Sequence, residues 1–69
     1  MTPPLITVQP GGIEGYYYGD VYNWLPTQQR HAFEDFIAWQ TCLINPDDPE
    51  HRVIVYVHDV ERFLRSQRS

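Results

Sequence analysis

Hydrophobic positions change their spacing along this chain, and each change marks an expected element. Met1-Thr2-Pro3-Pro4 carries no period and is expected to fray ahead of a single domain spanning residues 5–69. Leu5-Ile6-Thr7-Val8-Gln9 is rich in β-branched residues but short. Pro10-Gly11-Gly12 behind it is a turn signal, and Ile13 to Tyr18 suits a return strand, weakened by Gly15. Gly19-Asp20-Val21-Tyr22-Asn23-Trp24-Leu25-Pro26 reads as a loop with aromatic anchors.

From Thr27 the period becomes helical. Phe33, Phe36, Ile37 and Gln40 follow the i, i+3, i+4, i+7 spacing of one apolar face, with Glu34 and Asp35 on the other side. Thr27, directly after Pro26, is the expected N-cap, and the helix is expected to run to Trp39 or Gln40. Arg30–Glu34 and His31–Asp35 are spaced as i, i+4 pairs. Thr41-Cys42-Leu43-Ile44 and Arg52-Val53-Ile54-Val55-Tyr56-Val57 then form an antiparallel pair around a turn-rich segment, residues 45–51. Alternation sets Val53, Val55 and Val57 on one face of the second strand and Ile54 and Tyr56 on the other, so both faces need cover. Asp59 is the expected cap of a C-terminal helix with Val60, Phe63 and Leu64 as its apolar stripe. The result is an α+β fold: a small single domain with a central helix packed on an antiparallel β-hairpin, in helix-strand-strand-helix order. An extended aromatic-rich N-terminal arm or hairpin precedes it.

Size sharpens this picture. A chain of 69 residues builds a thin core, worth roughly 3–5 kcal/mol without a staple or a partner. Cys42 is the single cysteine, so no internal disulfide forms. A secreted domain of this length normally carries paired cysteines, which points to a reducing, cytoplasmic setting. The start lacks the basic and apolar regions of a signal peptide, and no stretch approaches the ~18 apolar residues of a membrane span. The formal net charge of −4 and the absence of lysine disfavour a general nucleic-acid binder, because phosphate affinity comes from Lys and Arg.

Candidate chemistry is sparse. Asp47, Asp48, Glu50 and His51 crowd one loop, but the D-x-[DN]-x-[DN]-G pattern of a calcium-binding hand is missing. His51 and His58 lie about 23 Å apart along a strand, too far to share an ion. Cys42 paired with His31 or His58 would be a thiolate–imidazole couple, yet a cysteine in an apolar strand normally packs as a small hydrophobe. No phosphate loop, G-x-S-x-G or CxxC is present. The chain is therefore read as no enzyme, with no cofactor and no metal. His58 beside Asp59 and Glu61 has a proton-transfer or pH-sensing reading, but capping alone explains the aspartate.

Two surfaces remain. Tyr16, Tyr17, Tyr18, Tyr22 and Trp24, mixed with Gly, Asp and Asn, have the composition of a contact surface. In extended chain Tyr17 points opposite to Tyr16 and Tyr18, so one side can cover Ile54 and Tyr56 while the other meets a partner. Arg62, Arg65 and Arg68 form a loose stripe for phosphates or an acidic patch, although such a set is more often a solvated helix end. The leading reading is a non-catalytic module that binds and modulates a larger protein. The aromatic arm would supply its anchors, and Asp47, Asp48 and Glu50 its steering charge. The small size and the absence of lysine suit an accessory protein of a phage or mobile element. A structural subunit that pairs with copies of itself is the second reading, and weak nucleic-acid contact through the arginines is the third.

Overall fold

The computed structural model describes residues 2–9, 11–44 and 46–67. Strands β1 (Ile6–Val8) and β2 (Ile13–Tyr17) form the expected N-terminal hairpin. Ile6 lies opposite Gly15 and Val8 opposite Ile13. Gly11 and Gly12 take φ of 99° and 63° in the connecting turn, a region open to glycine without steric cost. Pro10 lies outside the described residues.

The aromatic arm does not extend as a loop. β2 runs without a linker into helix α1 (Tyr18–Trp24). The physical reason is a helical stripe that the tyrosine run and Gly19 disguise: Tyr18, Val21, Tyr22 and Leu25 follow the i, i+3, i+4, i+7 spacing. Val21 and Leu25 are buried in the core as a result. The helix is only seven residues long, too short to persist on its own propensity, and it draws support from Arg30, described below.

Helix α2 (Thr27–Ile37) starts where expected but is capped otherwise. Pro26 holds the N-cap position and no side chain caps the turn, so Thr27 is a helical residue rather than the cap. The helix ends two or three residues early: Trp39 N donates to the Phe36 carbonyl and Gln40 N to that of Ile37, i+3 bonds that tighten and close the last turn.

Strand β3 is short (Leu43–Ile44), β4 covers Val53–Tyr56, and α3 (Val57–Gln67) begins at the next residue. Val57 is thus helical rather than a strand end. Asp59 lies inside the first turn of α3 instead of capping it.

The sheet has the order β1-β2-β4-β3 and is antiparallel throughout. The C-terminal strands are therefore not a separate hairpin under a central helix, because β4 is shared between β3 and the N-terminal β2. Helices α1 and α3 lie against β2 and β4, and α2 lies against α1. Val21, Leu25, Phe33, Ile37, Val55, Val60 and Phe63 form the core between them. Phe33 meets Phe63 edge-on with ring centroids 5.1 Å apart, the favoured geometry for aromatic pairs. Both faces of β4 are buried at its centre: Val55 lies in the core with the helices, and Ile54, on the opposite face, has no exposed surface.

Candidate functional site

The residues expected to bind a partner fall into different roles. Tyr16 pairs with Val55 in register and packs against the core. Tyr17, on the opposite face beside Ile54, lies under Arg52, whose guanidinium carbon stands 3.9 Å from the ring centroid. Tyr18 stacks on Phe33 at 5.4 Å and on Tyr22 at 5.9 Å. Burial pushes the Tyr18 hydroxyl above its ordinary pKa, aided by Glu34, Tyr22 and Cys42. Strand alternation thus places Tyr16 and Tyr17 on opposite faces as the sequence suggests, whereas Tyr18 opens α1 and is set by the helix instead.

Arg30 is spaced for an i, i+4 pair with Glu34, but its guanidinium closes the end of α1. Nε donates to the carbonyls of Tyr22 (2.9 Å) and Leu25 (3.2 Å), and Nη2 donates to that of Asn23 (3.1 Å). These are carbonyls that a short helix leaves without internal partners, and a planar fork suits several acceptors at once. The same group lies 5.6 Å from the Tyr22 ring centroid.

The acidic loop is organised by one of its own acids. Asp48 is only 5% exposed. Its Oδ1 accepts from Glu50 N, and its Oδ2 accepts from the backbone N and the Nε of Arg52, each at 3.1 Å. The Arg52 side chain beside it holds the Asp48 carboxyl below the usual carboxylate range, with the backbone donors of Arg52 and Glu50 adding to the effect. Glu50 also reaches Arg52 at 3.2 Å and stays exposed, as does Asp47. Asp48 is therefore a turn organiser, and its charge is turned inward.

On α3, Arg62 reaches Asp59 at 3.5 Å and lies 5.9 Å from the Phe36 ring. Arg65 is exposed in the last turn, and Arg68 lies outside the described residues. No three His, Cys, Asp or Glu side chains among the described residues come together as a metal site requires. His31 pairs with Asp35 at 3.6 Å on the outer face of α2. Cys42 lies just ahead of β3 rather than in it, and it is exposed. Partial burial, then Asp59, raises its thiol pKa, the reverse of what an activated nucleophile needs. No helix is long and apolar enough to cross a membrane among the described residues.

Three surface features are left. Trp39 is 88% exposed. Its signal was in the sequence: at 100° per residue it falls roughly 110° from the centre of the Phe33–Phe36–Ile37–Gln40 stripe. Ile44 and Val53, partners across β3 and β4, are 50% and 39% exposed at the sheet edge. The third feature is an open groove of about 300 Å³ lined by Thr2, Pro3, Pro4, Asp20, Asn23 and Trp24. Trp24 is the member of the expected aromatic set that keeps substantial exposure, at 37%.

Compared with protein-family models, curated proteins and solved structures, the chain finds no match in any of the three.

Proposed function

We propose that this chain is a non-catalytic protein-interaction module that modulates a larger partner. The observation that carries this reading is Trp39. A thin-cored domain needs every ring it can bury, yet this one leaves a tryptophan 88% in solvent. Tryptophan is the residue type most enriched at binding hot spots. Ile44 and Val53 add apolar surface at the sheet edge. The raised pKa of the Cys42 thiol is the reverse of what an activated nucleophile needs, which supports binding over catalysis through this cysteine. A single free cysteine suits a reducing compartment.

Capture from a lysate of the source organism, followed by calorimetry on the purified pair, tests the reading. Trp39→Ala should weaken the complex at least tenfold while leaving the fold intact. Recovery of the chain alone, with a mass in solution that is a fixed multiple of the protomer, would overturn it. That result would favour a self-assembling subunit built on the β3 edge, where Ile44 lies exposed beside Val53 of β4. Nucleic-acid contact has less support, because Arg62 is already engaged by Asp59.

A further inference from the structure

The groove beside α1 combines a carboxylate, an indole and a proline wall. Asp20 and Trp24 are four residues apart on α1, so their Cβ atoms stand about 5–6 Å apart on one face of the helix. Asp48 and Asp59 are both engaged by arginines. Asp20, by contrast, makes no hydrogen bond or ion pair among the described residues. Its carboxylate lines space that a ligand can fill and can accept hydrogen bonds from a cationic donor.

Charge and ring chemistry agree on the ligand. Tryptophan is the best aromatic partner for a cation, and proline rings offer apolar surface to an alkyl stem whose charged head stays near water. None of the described arginines lines the groove, and three of them are engaged elsewhere. Arg30 is committed to the α1 carbonyls, Arg52 to Asp48 and Glu50, and Arg62 to Asp59. A second copy is also a poor occupant, since each brings a net charge of −4.

We propose that this groove receives the arginine or lysine side chain of a partner protein segment, with the cation between the Asp20 carboxylate and the Trp24 ring. The proposal rests on the interaction-module reading and adds the chemistry of the partner, a basic segment.

The test uses the full chain labelled with ¹⁵N and the peptide acetyl-Gly-Arg-Gly-amide. The citrulline peptide, which has the same shape without the charge, is the control. The indole N–H signals of Trp24 and Trp39 report separately. The expected result is a saturable, salt-weakened shift of the Trp24 signal, at least threefold tighter for arginine than for citrulline, and at least threefold weaker in Asp20→Asn. Equal affinity for the two peptides would overturn the proposal. So would unchanged binding in Asp20→Asn, or a shift confined to Trp39. Methylguanidinium ion binding as tightly as the peptide would overturn the protein-segment source. In the calorimetry described above, a captured partner whose affinity drops with Trp39→Ala but not with Asp20→Asn would end the groove proposal alone. Absence of any partner, with the peptide still bound at Trp24, would end the module reading and leave the cation site.

Discussion

Gly15 and Ile54 approach so closely across β2 and β4 that a Cβ on Gly15 would lie 2.7 Å from Ile54 Cγ2 and 2.6 Å from the Val55 carbonyl oxygen. The second contact is with backbone, so trimming Ile54 does not relieve it. Gly15→Ala should therefore destabilise the protein by about 2–3 kcal/mol, at the upper end of overpacking costs. Thermal unfolding reads this directly. An alanine variant as stable as the parent would mean that the two strands can separate freely here.

Arg30 should be more sensitive to its shape than to its charge. Arg30→Ala leaves the carbonyls of Tyr22, Asn23 and Leu25 without their donor and should cost about 1–2 kcal/mol for these partly exposed bonds. Arg30→Lys keeps the charge and loses the fork, so it should recover less than half of that loss in denaturant unfolding. Full recovery by lysine would show that charge near the helix end is sufficient.

Asp48 gives the acid limb of the stability curve its shape. Its folded-state pKa is depressed, chiefly by the Arg52 side chain, so folding favours the ionised form. The unfolded chain then binds more protons in acid. Stability from this group is complete above the ordinary carboxylate pKa of about 4 and is lost as pH falls through the lower folded value. The stability gap between the parent and Asp48→Asn should thus be constant from pH 5 to 7 and shrink below about pH 4. A gap independent of pH would remove Asp48 from this role.

Cys42 should be slow to alkylate despite its exposure. Partial burial and Asp59 both hold the proton on the thiol, and the thiolate is the reactive form. At pH 7.5 iodoacetamide should modify Cys42 more slowly than it modifies glutathione. Asp59→Asn should speed the reaction only in part, because burial is the larger cause. A rate above that of glutathione would contradict the arrangement.

Trp39 and Phe33 should separate stability from binding. Trp39→Ala removes an almost fully exposed ring and should change stability by less than about 0.5 kcal/mol. Phe33→Ala removes a ring with no exposed surface at the centre of the core and should cost about 3–5 kcal/mol, enough to unfold so small a domain.

What could be read in the sequence follows from how local each cause is. The stripe on α2 and the β-branched run at Val53–Tyr56 are written within a few residues, and both elements formed. The hairpin followed from Gly11 and Gly12, which tolerate the positive φ its turn uses. Helix α1 was hidden because its stripe competes with the β propensity of three tyrosines. Its stabilising partner, Arg30, also lies five residues beyond Leu25 and acts through tertiary contact. The inward turn of Asp48 was equally hidden, since a Pro-Asp-Asp-Pro loop looks solvated until Arg52 folds back over Tyr17. The exposure of Trp39 is legible in the same stripe, because helical spacing turns it away from Phe33, Phe36 and Ile37.

Both strand-to-helix joints, Tyr17–Tyr18 and Tyr56–Val57, pass from one element to the next with no residue between. Each strand and its helix therefore turn as one lever, and an added residue at either joint would rotate every helical side chain after it by about 100°. Room to lengthen the chain lies instead at the Gly11–Gly12 turn and in residues 38–42, where exposed backbone connects the elements. A fluorophore loop or an affinity tag grafted at the glycine turn should leave Trp24, Asp20 and Trp39 in place, whereas the same graft after Tyr17 or Tyr56 should dismantle the domain.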